Sequence, residues 1–273
     1  MKGHKVMASC EAIKSLFWIL LIGSFVWSVA QNRLVNSQRT KIIGEIEQQR
    51  GSKVITMIHR QETVGFLGLP IKKYIQMEDA EAVVRAIREI PNNQPIDMII
   101  HTPGGVLLPA YQIAKALKDH KGKVTVFVPH YAMSGGTLIA LAADEIVMDK
   151  NAVLGPIDPQ LGTAKGTVPA VSVLKIPEYK AWQDVDDMTV IIYDQAQKIL
   201  KQITQYVNYL ISDKSQKTAH MIINRLVLGQ VTHDYPVFCS EAMKLGLRVS
   251  DKMPELIYKL MDLYPQPKNV ANF

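Results

Sequence analysis

The residues best suited to chemistry lie in two glycine-rich turns. The first is HTPGG at residues 101–105, and the second is YAMSGGT at residues 131–137. Pro103 fixes one backbone angle, and the glycines that follow allow shapes that other residues resist. Such a turn can direct a peptide N–H into a cleft, as an oxyanion hole requires. An ordinary tight loop is the alternative interpretation of this short motif.

The second turn places Ser134 directly before a predicted helix. A hydroxyl at a helix start is usually only an N-cap. Here the neighbours are small or apolar, so the side chain can enter a pocket with little steric cover. The N–H of Gly135 follows immediately, where nucleophile-turn enzymes place an oxyanion donor. The helix dipole adds about half a positive charge at the same point. Together the two turns offer a serine flanked by two preorganised donors.

Alternating apolar and amphipathic segments place both turns after strands. We expect strands at residues 54–58, 96–100, 123–128 and 145–148, and helices at 77–90, 108–120, 135–143, 190–206 and 240–245. This order predicts an α/β fold with a parallel sheet and right-handed crossovers. Sites in such sheets form at the carboxyl ends of the strands, where these turns lie.

An uncharged run of fifteen residues, Leu16–Ala30, lies near the N-terminus. It is slightly shorter than the ~20 residues that span a bilayer as a helix. We predict a single-pass membrane anchor at residues 1–32 and one domain at residues 33–273. A signal peptide cleaved near residues 28–30 and a soluble helix are the alternatives. Positive charges flank both sides of the run, so the membrane side of the domain stays open.

Composition argues against several other classes of protein. The chain has 273 residues and a net charge of +6, but its basic residues are dispersed, so we predict no nucleic-acid partner. Its two cysteines form neither a disulfide framework nor a zinc motif. Its seven histidines show no HxxxH or HExxH spacing, and neither a phosphate loop nor a dinucleotide fingerprint is present. We therefore predict no metal and no cofactor.

Four stretches resemble one known family. They are GSKVITMIHRQE (51–62), IDMIIHTPGG (96–105), the block at 129–161 and THDYPV (232–237). They are similar to the serine dehydrogenase proteinases, a membrane-anchored bacterial and archaeal group related to signal peptide peptidase A. The resemblance implies the ββα spiral of the Clp protease/crotonase superfamily, a peptide or protein substrate and a homo-oligomer. The family name implies no redox chemistry in this chain.

The resemblance also implies roles for individual residues. It makes Ser134 the nucleophile, with the backbone N–H groups of Gly105 and Gly135 as the oxyanion hole. It places the segment that contains Asp158 along the substrate groove, and we predict that Asp158 and Gly104 bind substrate. For Asp158, capping a turn between two prolines is an equally good interpretation.

The general base that a serine nucleophile needs is harder to assign. The position at which Clp proteases carry their histidine is occupied here by Pro159, and no histidine lies between His130 and His220. Signal peptide peptidase relatives use a lysine further along the chain, and the best match is Lys180, 46 residues after Ser134. We therefore predict a Ser134–Lys180 dyad.

His233 is the alternative base. Histidine suits proton transfer near neutral pH, and Asp158 or Asp234 could orient its ring. Adjacent residues in a strand point to opposite faces, which disfavours Asp234. A β-turn that only feeds the next helix is the structural alternative for this motif.

The predicted function is a membrane-anchored serine peptidase that forms an acyl-enzyme at Ser134. An acyl-CoA hydratase or isomerase of the crotonase type shares the fold and the paired glycine donors, but the serine argues against it. The other alternative is a membrane-anchored scaffold whose site has decayed, and the completeness of both turns favours catalysis over it.

Overall fold

The computed structural model describes residues 2–60, 74–164 and 166–264, without the side chains of residues 2–17, 19 and 28. The chain divides into two compact units, Met1–Glu45 and Ile46–Phe273. The predicted anchor at residues 1–32 lies inside the first unit, and both glycine-rich turns lie inside the second.

The described elements alternate between helices and short strands. The helices are α1 (Lys2–Arg50), α2 (Met77–Glu89), α3 (Leu107–Asp119), α4 (Gly135–Ala140), α5 (Ala170–Val173), α6 (Asp187–Leu210), α7 (Gln216–Leu226), α8 (Cys239–Lys244) and α9 (Glu255–Asp262). The strands are β1 (Lys53–Ile58), β2 (Ile96–His101), β3 (Val124–Val128), β4 (Tyr131–Ala132), β5 (Glu145–Met148), β6 (Val153–Leu154), β7 (Gln160–Thr163), β8 (Gly166–Pro169), β9 (Val237–Phe238) and β10 (Val249–Ser250). Short 3₁₀ helices occupy Ile176–Glu178 and Trp182–Asp184.

A five-stranded sheet in the order β1-β2-β3-β5-β10 forms the centre of the second unit, and all its pairings are parallel. Every residue of β2 and β3 is buried, as expected for strands of a parallel sheet covered on both faces. Helices α2 and α3 bury their apolar faces, including Val83, Ile87, Ile113 and Leu117, in the same core. The predicted α/β fold with a parallel sheet is confirmed.

Two smaller sheets complete the strand arrangement. Strand β6 pairs in parallel with β4 and antiparallel with β9, and β7 and β8 form an antiparallel hairpin. In the β4-β6-β9 sheet, β6 joins the segment before Ser134 to a strand that follows His233. The region of the second glycine-rich turn is thereby connected to a part of the chain about one hundred residues later.

The predicted segments match the observed elements to within a few residues. The largest differences lie in α4 and α6, and both have local causes. Helix α4 ends at Ala140 because the N–H groups of Ala142 and Ala143 donate to carbonyls three residues back, which tightens the chain into a turn. Helix α6 begins earlier than predicted because the Asp186 carboxylate accepts the Thr189 N–H at 3.0 Å and caps it.

The uncharged N-terminal run lies within helix α1. Among the described residues, no helix combines the length and the apolar character needed to cross a bilayer. The transmembrane prediction therefore has no support from the structure. The structure does not describe four side chains of this run, those of Leu16, Phe17, Ile19 and Ser28. The membrane anchor stays a prediction.

Candidate active site

The two glycine-rich turns meet at the carboxyl edge of the central sheet. The Thr102 N–H donates to the Tyr131 carbonyl at 3.1 Å, and the Met133 N–H donates to the Thr102 carbonyl at 3.0 Å. Thr102 and Ala132 therefore pair as a parallel bridge just beyond β2 and β3. This backbone pairing sets the two turns side by side, as their places after neighbouring strands predict.

Ser134 has a strained backbone. Its φ is 50° and its ψ is −114°, and it is the one non-glycine residue with positive φ in the described ranges. Such a conformation costs roughly 1–3 kcal/mol and persists only where the surroundings enforce it. Here the Gly136 N–H donates to the Met133 carbonyl at 2.7 Å, and the Thr137 hydroxyl donates to the Ala132 carbonyl at 2.7 Å. These bonds hold the sharp turn that presents the serine at the start of α4.

Gly104 packs directly behind this serine. Its φ is 102°, and a Cβ there would lie 2.8 Å from the Cβ of Ser134, so the position accepts only glycine. Its N–H donates to the Thr102 hydroxyl at 3.2 Å, and its carbonyl accepts from the Ile75 N–H at 2.8 Å. Both polar groups of Gly104 are thus engaged within the protein, and its predicted contact with substrate stays a prediction.

The Gly105 N–H points away from Ile75. The Gly104 carbonyl and the Val106 N–H both bond to Ile75, so by strand alternation the Gly105 N–H points the opposite way. The position that a Cβ of Gly135 would take lies 3.6 Å from the Gly105 nitrogen. The amides of Gly105 and Gly135 therefore lie close together beside Ser134, as two oxyanion donors must.

A cleft of about 720 Å³ opens at this point. Ser134, Gly105 and Gly135 line it together with Asp158 and His233. An apolar wall of the same cleft is formed by Leu138, Ile157, Ile199 and Ile203. The cleft therefore combines the serine, both amides and an imidazole with an apolar surface against which a bound chain can pack.

His233 and Asp158 form a pair inside the cleft. The His233 Nδ1 lies 2.8 Å from the Asp158 Oδ1, and the Asp158 side chain is 2% exposed. The other carboxylate oxygen accepts the Gln160 amide at 2.8 Å. Because an ionised carboxylate can only accept, this contact places the ring proton on Nδ1 and leaves Nε2 as the proton acceptor.

A second set of contacts holds the turn that carries His233. The Tyr235 hydroxyl donates to Glu241 at 3.2 Å, and the Arg225 guanidinium donates to the same carboxylate at 2.7 Å. Arg225 also lies over the Tyr235 ring, 4.5 Å from its centroid. The next residue of α7, Leu226, accepts the Ile157 N–H at 2.7 Å. The end of α7 is therefore bonded to both segments that supply the histidine–carboxylate pair.

Lys180 lies apart from this arrangement. It is exposed, it follows the 3₁₀ helix Ile176–Glu178, and its N–H donates to the Ile176 carbonyl at 3.0 Å. It is not among the described residues that line the cleft. Of the residues proposed from sequence, the structure therefore brings together Ser134, the two amides and the His233–Asp158 pair.

A further histidine lies buried beneath the cleft, at the end of β2. His101 is 1% exposed, and neither of its ring nitrogens has a hydrogen-bond partner in the described part of the chain. Burial lowers the pKa of His101 to about 3, and charge on Arg60 and His130 adds to the effect. The ring is therefore neutral at physiological pH.

Comparison with known proteins identifies a family that the sequence of this chain matches. The profile of the ClpP-like SDH-type serine proteinases matches residues 4–272. The uncharacterized protein MJ0137 of Methanocaldococcus jannaschii is 49% identical over 269 residues, which covers 98% of this chain and 93% of that protein. Protein MJ1495 of the same organism is 49% identical over 262 residues, or 96% of this chain and 87% of the relative.

Similar solved structures are more distant. A membrane-bound stomatin-specific protease in complex with a substrate peptide is 21% identical, covers 76% of this chain and 78% of its own, and has a TM-score of 0.48. ClpP1 from Listeria monocytogenes is 16% identical over 72% of this chain and 92% of its own, with a TM-score of 0.43. The family assignment rests on the profile, which matches residues 4–272.

The strain at Ser134 predicts an unusual effect on stability. Ser134→Ala keeps a Cβ and therefore the strain, whereas Ser134→Gly releases it. Relief of the strain should raise the free energy of unfolding by about 1–3 kcal/mol. This exceeds the roughly 0.4–1 kcal/mol by which glycine lowers it, because glycine gives the unfolded chain more conformational freedom. We expect the glycine variant to be more stable than the alanine variant by about 1 kcal/mol, measured by denaturant unfolding. A glycine variant less stable than the alanine variant would contradict the strained turn.

The buried His101 predicts a dependence of stability on pH. The unfolded chain binds a proton at this histidine below about pH 6.5, whereas the folded protein does so only near pH 3. The free energy of unfolding therefore falls as pH decreases from 6.5 towards 3. We expect His101→Phe to flatten this decrease in chemical unfolding measured across that range. The matched control, His220→Gln at an exposed site, should keep the wild-type slope; equal slopes in all three proteins would refute the assignment.

Proposed function

The chain belongs to the ClpP-like SDH-type serine proteinases, and on this basis we propose that it cleaves peptide bonds through an acyl-enzyme at Ser134. Membership of the family makes it a serine-type peptidase. The observation that carries the specific assignment is the cleft in which Ser134, the two glycine amides and the His233–Asp158 pair lie together.

Acylation follows from this arrangement. The Ser134 Oγ attacks the carbonyl carbon of the peptide bond, and the His233 Nε2 takes the hydroxyl proton. The negative charge that develops on the carbonyl oxygen is stabilised by the N–H groups of Gly105 and Gly135. When the tetrahedral intermediate collapses, the C–N bond breaks and the imidazolium protonates the leaving amine.

Deacylation repeats the same steps with water. His233 removes a proton from a water molecule as it attacks the ester carbonyl, and the two amides again bind the oxyanion. Ser134 leaves with the proton that the imidazolium returns. Throughout the cycle the buried Asp158 holds the ring in one tautomer and stabilises its charged form.

The choice of His233 as base rests on position. Its ring lines the same cleft as the serine, and a buried carboxylate orients it. The Ser134–Lys180 dyad remains the competing assignment from the family resemblance. Lys180 is exposed and is not among the described residues that line the cleft with Ser134, and its position therefore favours the histidine.

Two other features of the proposal come from the sequence alone. Attachment to a membrane through residues 1–32 and assembly into a homo-oligomer both remain predictions. The residues that the proposed mechanism uses all lie in the second unit.

Three substitutions distinguish the two bases. We expect His233→Ala to lower the rate at which a fluorophosphonate probe labels the protein by a hundredfold or more, the usual order for loss of a general base. Asp158→Asn should cause a loss of similar order because it disturbs the ring tautomer. Lys180→Ala should stay within about twofold of the wild-type rate. Hydrolysis of fluorescein-labelled casein should follow the same order.

Ser134→Ala is the control for background labelling, and thermal unfolding shows whether each variant is folded. A large loss in Lys180→Ala, with His233→Ala close to wild type, would transfer the role of base to the lysine. Wild-type labelling in Ser134→Ala would reject the nucleophile itself.

A further inference from the structure

A second histidine–carboxylate pair, His59 and Asp79, contacts the first glycine-rich turn, HTPGG at residues 101–105. His59 follows β1, and its side chain is 7% exposed. Its Nε2 lies 3.4 Å from the Asp79 Oδ1, and its Nδ1 lies 2.9 Å from the Thr102 hydroxyl. None of these three residues is among the described residues that line the cleft, so the catalytic steps above do not use them.

The contacts form a directed chain. The nearby carboxylate of Asp79 favours a proton on Nε2 of His59, which leaves Nδ1 as an acceptor. The Thr102 hydroxyl can then donate to Nδ1 while its oxygen accepts the Gly104 N–H at 3.2 Å. Thr102 is fully buried, so water does not compete for this hydroxyl. This series of contacts therefore ends at Gly104, the residue directly before Gly105.

Asp79 also reaches the same turn by a second route. Its Oδ2 accepts the Gln76 N–H at 2.9 Å, which fixes the entry into α2. The preceding residue, Ile75, donates to the Gly104 carbonyl at 2.8 Å and accepts the Val106 N–H at 3.0 Å. The backbone of Ile75 therefore forms hydrogen bonds with the residues on both sides of Gly105.

The approach of Ile75 to the turn is very close. A Cβ at Gly105 would lie 2.4 Å from both the nitrogen and the oxygen of Ile75, so the two backbones are in contact with no side chain between them. A shift of residues 75–76 or of the Thr102 side chain would therefore move the Gly105 amide.

We propose that Asp79, His59 and Thr102 form an oxyanion relay, a set of positioning residues that holds the Gly105 N–H in the geometry that binds the oxyanion. The inference rests on the proposed function, because it assigns a role to that amide. The relay itself touches neither substrate nor the reacting atoms. Its contribution belongs to the transition state, because the oxyanion forms only there.

This role predicts a particular kinetic signature. Loss of one oxyanion donor lowers kcat by about 10²–10³-fold, and a displaced donor should cost less. We expect Thr102→Val, which keeps the shape but removes the hydroxyl, to lower kcat by roughly ten- to a hundredfold. KM should stay within about twofold, because the ground-state carbonyl depends little on this donor. His59→Ala should behave in the same way.

Conservative variants separate positioning from general stability. Thr102→Ser retains the hydroxyl, and His59→Asn retains an acceptor near the position of Nδ1, so both should recover kcat to within about threefold of wild type. Asp79→Asn places an amide beside His59 and should lower kcat several-fold. The measurements are kcat and KM for p-nitrophenyl butyrate, made on the full chain, with thermal unfolding of every variant.

The outcomes decide between the proposals. Wild-type kcat in Thr102→Val and His59→Ala, or equal losses in Thr102→Ser and Thr102→Val, would overturn the relay. A rise in KM with unchanged kcat would do the same. If an alanine or valine variant does not fold, the surface-accessible Asp79→Asn decides alone, and a wild-type kcat there rejects the relay. Failure of Ser134→Ala to abolish probe labelling would instead reject the proposed function.

Discussion

The backbone of Ser134 is the constraint on which the rest of the site depends. A residue with a Cβ holds a positive φ only if neighbouring groups enforce it. The Thr137 hydroxyl does so by donating to the Ala132 carbonyl and accepting the Gly155 N–H at 2.9 Å. It thereby ties the serine turn to the segment that continues to Asp158. One buried hydroxyl links the turn of Ser134 to the segment that leads to Asp158.

The residues around Ser134 are positioned partly by elements near it in the sequence and partly by distant ones. The amides of Gly105 and Gly135 come from turns next to neighbouring parallel strands, so sheet geometry brings them together. The histidine comes from a turn far along the chain, and the short β6–β9 pairing and the end of α7 bring it back. The three residues proposed to position the Gly105 amide follow β1, follow β2 and lie in α2. Three separate groups of contacts therefore surround the two glycine-rich turns.

The sequence predicts the features that local patterns determine, and it does not predict the contacts between distant segments. The sequence predicts the strands, the helices and the two turns, because apolar periodicity and glycine patterns are local. It leaves the partner of Asp158 open, because that partner lies 75 residues away and no local pattern records the contact. Family spacing favours Lys180, but spacing carries no information about exposure. The sequence gives His59 no individual role, because the contact of His59 with Thr102 depends on how β1 and β2 align.

The most direct test is a crystal structure of the protein after reaction with a fluorophosphonate. We expect a phosphorus atom bonded to the Ser134 Oγ, with the phosphoryl oxygen about 3 Å from the nitrogens of Gly105 and Gly135. We also expect the His233 Nε2 within about 3 Å of the serine oxygen. A label on another residue, or the Lys180 amine in place of the imidazole, would contradict the proposed mechanism.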